Sequence, residues 1–90
     1  MSTIILPERF DFSYHATFSE AYPKVLDGGH EDLIFDFSKV SYIDSSALGM
    51  MVLVNKKAKA IGRSVIIQNA TGAALEVLNI ANFQQMFTFK

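Results

Sequence analysis

Residues 41–62, SYIDSSALGMMVLVNKKAKAIG, constrain this chain more than any other stretch. They pass from an extended Ser-Tyr-Ile into Asp44-Ser45-Ser46, residue types preferred at helix N-caps, and then into a long apolar run closed by Gly62. The spacing predicts a helix over 46–61. Lys56, Lys57 and Lys59 fall in its last turns, where cations suit the helix dipole, and Gly62 permits a left-handed terminus. Its first half is apolar nearly all round, from Ala47 and Leu48 through Met50, Met51, Val52, Leu53 and Val54. One face of such a segment packs on a sheet, and the surplus calls for a second cover.

The flanking sequence supplies that sheet. Residues 32–38 alternate, with Leu33, Phe35 and Phe37 on one face and Ile34, Asp36 and Ser38 on the other, so one face is buried and the other partly wet. Residues 39–43 extend or repeat this strand. Residues 63–68, containing Ser64-Val-Ile-Ile and flanked by Gly62 and Asn69, form a compact β-branched strand, and Thr71 is a plausible cap for a last helix carrying Leu75, Val77, Leu78 and Ile80. Residues 85–89 close the chain as a short strand with Met86 and Phe87 or Phe89 turned inward.

At the other end, residues 3–6 form a short edge strand stopped by Pro7, and residues 9–12 continue as a second extended piece with Phe10 and Phe12 on one face. Thr17-Phe-Ser-Glu20 matches a capping box, and Phe18, Ala21, Tyr22, Val25 and Leu26 then trace one apolar stripe. Pro23 conflicts with a helix begun at Thr17: either Ser19 is the true cap or the helix is kinked. Gly28-Gly29 ends that helix and is a turn, since no Lys-Ser or Lys-Thr follows to make a phosphate loop. The order β, α, β, α, β, α, β argues for parallel crossovers, with all three helices on one face.

Composition excludes several functions. Half of the 90 residues are apolar, eight of them Phe, so one domain over residues 1–90 can bury a core without a metal or disulfide. The absence of cysteine removes thiolate chemistry and fits a reducing compartment, with cytoplasm expected. A net charge of −1 without a basic run beyond Lys56-Lys57-Ala58-Lys59 lacks the footprint of a nucleic-acid binder. No basic region leads an apolar segment at the N-terminus, and the longest uncharged apolar run, 47–54, is too short for membrane insertion.

Asp44-Ser45-Ser46 sits where a strand gives way to a helix, beside free amides and the positive end of a dipole. The plain reading is that one of the three is the N-cap. Ala47 and Gly49, however, leave the turn open to an approaching backbone, and the apolar surplus invites a partner. A phosphate on Ser45 would bring roughly −1.5 to −2 charge that the dipole tolerates and that Asp44 and an acidic or apolar partner would repel. His15 and His30 lie beside loop signals and are read as exposed loop residues, not a metal pair or phosphocarrier. Asp36 could approach the turn but is read as an outward strand carboxylate. Tyr14, Tyr22 and Tyr42 form no discriminating pattern. A nucleophilic role for Ser45 lacks a base, because neither His has a spacing that brings it near.

The run Asp44-Ser45-Ser46-Ala47-Leu48-Gly49, following a strand and opening a helix that ends in Ile61-Gly62, resembles the STAS domain of bacterial anti-sigma factor antagonists. The similarity extends over the strands at 33–37 and 65–67 and the helix at 71–80. It implies a STAS-like α/β fold, a mixed sheet of about four to five strands with helices on one face. It also implies a non-enzymatic switch without metal or cofactor. The unphosphorylated form binds an anti-sigma factor that is also a serine kinase of the histidine-kinase-like ATPase type, or a response regulator. Phosphorylation of Ser45, the first serine after the aspartate, releases the partner, and a metal-dependent serine phosphatase resets the switch. Ser46 is the neighbouring hydroxyl. Asp11 falls where the family often has an acidic residue near the phosphorylated serine, so it is expected to help present Ser45. Asp44, Ser46, Ala47, Gly49, Met50 and Asp11 form the expected partner surface. The chain departs from the family in having Ala47 where glycine is usual and in the short, Pro7-interrupted first strand. The rival role in the same fold is an accessory subunit of a membrane transporter of the ABC lipid type.

Overall fold

The computed structural model describes residues 3–27 and 32–90. In chain order the elements are β1 (Thr3–Ile5), β2 (Arg9–Phe10), a 3-10 turn (Phe12–Tyr14), α1 (His15–Asp27), β3 (Leu33–Asp36), β4 (Tyr42–Ile43), α2 (Ser45–Ala60), β5 (Val65–Gln68), α3 (Gly72–Ile80), a second 3-10 turn (Phe83–Gln85) and β6 (Thr88–Phe89). Gly28, Gly29 and His30, read above as the end of the first helix and an exposed loop histidine, lie outside the described residues.

Four strands form the main sheet in the order β1-β3-β5-β6, and β2 pairs with β4 in a separate two-stranded ribbon. Among the described residues every pairing is parallel, which corrects the expected mixed sheet. The physical reason is that each return to the main sheet is made through a helix, and such crossovers bring strands back in the same direction. The ribbon arises where two neighbouring chains leave the sheet together. The amide of Leu6 still donates to the Asp36 carbonyl at 3.1 Å, and a turn closed by Val40 N–H to the Phe37 carbonyl at 3.0 Å then redirects the chain toward Tyr42.

Register puts alternate residues of the strands in common rows. Ile4, Phe35 and Ile67 are neighbours and all buried, with Leu33 beside Val65 on the same face. Phe18 and Leu26 of α1, Ala47, Met51, Val54 and Ala58 of α2, and Ala74 and Leu78 of α3 join those strand residues in one hydrophobic cluster. The three helices therefore share one sheet face, as the alternation of residues 33–37 implied.

Phe10 organises the corner where the ribbon meets this core. Its ring lies 5.7 Å from Phe18 and 6.2 Å from Phe37, and Phe18 in turn lies 5.7 Å from Phe35. Burying each such ring stabilises the fold by about 1.5–3 kcal/mol, so the inner face of the ribbon is firmly seated. Phe12, expected on the same face as Phe10, instead enters the 3-10 turn and is 67% exposed.

Two helix expectations are corrected. Helix α1 begins at His15, running on from the 3-10 turn that Asp11 caps, so Thr17 and Glu20 are exposed residues of its first turns and not a capping box. His15 is accordingly a helix residue stacked on Phe12 at 5.6 Å, not part of a loop. Pro23 lies inside α1, with the carbonyl that would have met its missing amide belonging to Ser19, an exposed residue that water can satisfy. Thr71 occupies the N-cap position of α3 without a side-chain cap bond. Of the apolar residues expected inside that helix, Leu78 is buried with Ala74 one turn before it, whereas Ile80 points away and is 80% exposed. At the C-terminus the expected strand is shorter, because Phe83 turns in a 3-10 conformation to pack against Phe87, with ring centroids 4.9 Å apart, before β6 begins.

Candidate functional site

Parallel pairing of Arg9 with Tyr42 and of Phe10 with Ile43 sorts the ribbon into two faces. Phe10 and Ile43 point into the core, so Arg9 and Tyr42 share the outer face, and the next residues of the same parity are Asp11, which is buried, and Asp44, which is partly exposed. Ser45 follows Asp44 directly. The strand-to-helix turn and the segment after β2 thus converge, and three carboxylate contacts shape the corner, one of them crossing between the two segments.

Asp44 makes two of them. It is the N-cap of α2, in extended conformation, and its Oδ1 accepts the Ala47 amide at 2.9 Å. Its Oδ2 accepts the amide of Phe12 at 3.3 Å, across a separation of 32 residues. One carboxylate therefore caps the helix and holds the end of β2 against it. Asp11 makes the third tie, accepting the Ser13 amide at 3.0 Å and the Ser13 hydroxyl, and so caps the 3-10 turn. The Ser13 hydroxyl, more than any other contact, holds the Asp11 carboxyl below its ordinary value of 3.8, with smaller help from the Ser13 amide and Arg9 against the opposing effect of burial.

Both serines of the turn are exposed, and neither hydroxyl bonds to another described residue. The N-cap function has been taken by Asp44, which frees Ser45 and Ser46 from a structural role. Gly49 is also exposed, and a β-carbon there would meet nothing within 4 Å, so the helix backbone lies open at that point. Ser46, Gly49 and Leu53 stand at i, i+3 and i+7 on one outward face, with Leu53 47% exposed.

The remaining predicted residues sit elsewhere. Ala47 and Met50 face the core, at 0% and 7% exposure, so they support the turn from beneath and offer no side chain to a partner. Helical geometry explains this, since Ala47 shares a face with Met51, Val54 and Ala58. Asp36 is tied down away from the turn, accepting the Ser38 amide at 2.9 Å and the Asn69 side-chain amide at 3.3 Å. Sequence reasoning passed over Phe12 and Arg9, whose positions depend on the ribbon, and Leu53, which a helical wheel drawn from Ser46 would have found. A groove of about 350 Å³ between α1 and α2, lined by Tyr22, Pro23, Leu26, Lys57, Ala60 and Ile61, lies at the far end of α2 from Ser45. Among the described residues no His, Asp or Glu cluster is placed to hold a metal, and no helix is long and apolar enough to cross a membrane.

Known proteins place this arrangement in a family. A STAS-domain containing protein of Pseudomonas aeruginosa strain UCBPP-PA14 is 34% identical over 85 residues, spanning 94% of this chain and 83% of its own length. Among solved structures, a Thermotoga maritima protein assigned as an anti-sigma factor antagonist superposes with a TM-score of 0.83 at 20% identity, covering 98% of this chain and 78% of that one. The anti-sigma factor antagonist SpoIIAA, in its unphosphorylated form, gives 0.75 at 19% identity, with 98% and 76% covered. A sulfate transporter family protein of Wolinella succinogenes gives 0.79 at 15% identity, with 98% and 75% covered. At these identities the structures establish a shared fold, in which the parallel sheet and three helices recur. The STAS domain family itself matches residues 3–90, and with the Pseudomonas relative this shows that the chain belongs to the STAS domain family.

Proposed function

We propose that this STAS domain is a phosphorylation-controlled partner switch of the anti-sigma factor antagonist kind, with Ser45 as the modified residue. The observation that carries the reading is the division of labour at the turn: Asp44 does the capping, and Ser45 is left exposed with its hydroxyl unengaged. The unmodified turn, with Ser46, Gly49 and Leu53 beside it, docks on an anti-sigma factor that is also a serine kinase of the histidine-kinase-like ATPase type. Phosphoryl transfer forms a bond from Ser45 Oγ to the γ-phosphorus of ATP as the bond to the β–γ bridging oxygen breaks. The hydroxyl proton leaves to a base of the kinase and ADP departs. Two negative charges then face a surface that had been neutral at that point, and the partner is released. A metal-dependent phosphatase restores the hydroxyl.

The test is mass spectrometry of the chain incubated with ATP and its cognate kinase, together with binding of Ser45→Ala and Ser45→Asp. Modification at Ser45, constitutive binding by Ser45→Ala and lost binding by Ser45→Asp are expected; modification confined to other residues sinks the reading. Likeness to a sulfate transporter family protein favours the second reading, an accessory subunit of a membrane transporter such as one of the ABC lipid type. Stable co-purification with a transport ATPase, with Ser45 unmodified, would select it.

A further inference from the structure

The outer face of the β2–β4 ribbon holds one cation, and its present engagements leave it available. Arg9 lies over the Tyr42 ring at 4.4 Å from guanidinium carbon to ring centroid. Its Nε–H donates to Asp11 Oδ2 at 3.3 Å, and its side chain is 67% exposed against 12% for that of Asp11. A guanidinium carries five N–H donors in a planar fork, and here the Nε donor alone meets a described partner. Reaching forward to Asp11 also aims it along the ribbon toward the turn, because Arg9 is in register with Tyr42 and the amide of Phe12, the residue after Asp11, bonds to Asp44. When Arg9 leaves, Asp11 keeps both Ser13 bonds at Oδ1, while Oδ2 gives up the Arg9 contact, a loss that the phosphate's bonds to the guanidinium must exceed.

We propose that Arg9 is the cation that receives a phosphate on Ser45, releasing Asp11 and presenting its free guanidinium edge to the phosphoryl oxygens. This rests on the reading of Ser45 as the modified residue and adds the residue that reads the modification from within the chain. The other described cations are placed for other work. Arg63 is buried and donates to carbonyls of α1, Lys39 acts on Asp36, Lys24 lies on α1, Lys56, Lys57 and Lys59 lie in the C-terminal half of α2, and Lys90 ends the chain beside Asn69. The remaining groups at the corner are Asp11 and Asp44, which repel phosphate, Glu8 near Ser41, and His15, which stacks on Phe12. An arginine suits the role because its fork matches phosphate geometry and its flat face can rest on an aromatic ring until needed. When Arg9 moves, the Tyr42 ring is uncovered, so the two states present different surfaces beyond the phosphate itself.

The experiment uses the full chain with phosphoserine installed at position 45 during synthesis, which makes it independent of any kinase. The second ionisation of the phosphate, followed by phosphorus NMR against pH, is expected about half a unit or more lower in the otherwise unchanged chain than in Arg9→Gln, since a nearby cation favours the dianion. Arg9→Lys should recover part of the difference and His15→Gln none of it. Tyrosine fluorescence, uncomplicated by tryptophan in this chain, should report Tyr42 uncovering on modification in the Arg9 protein alone. Equal ionisation in Arg9 and Arg9→Gln proteins overturns the proposal. Failure of the kinase to modify Ser45 overturns the switch instead, and the two failures are separately visible.

Discussion

The two ends of α2 are held in opposite ways. At its C-terminal end Gly62, at φ 76°, turns the chain sharply so that the Arg63 amide returns to the Ala58 carbonyl at 2.8 Å. Left-handed backbone of that kind favours glycine over residues with a β-carbon. The Arg63 side chain, 4% exposed, donates to the carbonyls of Val25 at 3.0 Å and Leu26 at 2.7 Å, at the end of α1. It supplies donors and positive charge where a helix has spare carbonyls and the negative end of its dipole. At the N-terminal end the ties are side chain to backbone, partly exposed, and made by Asp44 and Asp11. One end is welded by a buried charge, and the other is pinned at the surface while its hydroxyls stay free. The domain can therefore accept a charge at Ser45 without endangering its core.

Four measurements can break or sharpen that contrast. The largest effect belongs to Arg63→Ala, which removes charged hydrogen bonds each contributing about 1.5–3 kcal/mol and leaves carbonyls unpaired. A loss of about 3 kcal/mol in urea unfolding is expected, with Arg63→Met regaining some packing but not the bonds. A loss under 1 kcal/mol would show that the two ends are not different in kind. Asp44→Ala comes next, at about 1–2 kcal/mol, because it deletes the cap and the tie to Phe12 together. Amide exchange should speed up at Phe12 and Ala47 in that variant and remain slow at Arg63.

Acid acts more gently and on the surface-pinned corners. Asp11 and Asp36 are both held below their ordinary value of 3.8, Asp11 chiefly by the Ser13 hydroxyl and Asp36 chiefly by the Ser38 amide. A carboxyl depressed in the folded state adds stability above its unfolded pKa, and that increment is lost as pH falls through the folded value. Stability from these groups should thus hold from neutral pH down to about pH 5 and decline below about pH 4, with Asp11→Asn shallower in that window. The smallest effect is Ser45→Ala or Ser45→Asp, expected within about 0.5 kcal/mol of the parent in urea unfolding, as befits an exposed side chain without partners. A larger loss would mean the hydroxyl is structural after all.

What could be read from the sequence follows the range of the interactions. The alternation of Leu33, Phe35 and Phe37 and the passage from Asp44 into α2 are local patterns, and both appear in the structure near their expected bounds. The start of α1 was misplaced because Thr17-Phe-Ser-Glu20 satisfies a local rule, whereas the actual start depends on Asp11 folding over Ser13. The two-residue strands β2 and β4 are too short to announce themselves, and without that ribbon nothing in the sequence joins Arg9 to Tyr42 or Phe12 to Asp44. The role of Arg63 is not legible in the sequence, since its partners at Val25 and Leu26 come from tertiary packing alone. The same limit applies at the candidate site: Asp44, Ser45 and Ser46 were visible as a turn, but the burial of Ala47 and Met50 was decided by which face α2 gives to the sheet.

The wholly parallel pairing has a consequence for how this turn comes into being. Among the described residues no pair of strands is joined by a hairpin, and even the partners nearest in sequence, Ile66 and Thr88, are linked only after α3 has been laid down. Pairings of this kind form late, once long loops have been closed and helices have found the sheet. The ribbon that aligns Arg9, Asp11 and Asp44 shares that dependence. The surface around Ser45 is consequently a discontinuous epitope, absent from an isolated peptide of residues 41–62. An enzyme or partner that recognises it is inspecting the finished fold.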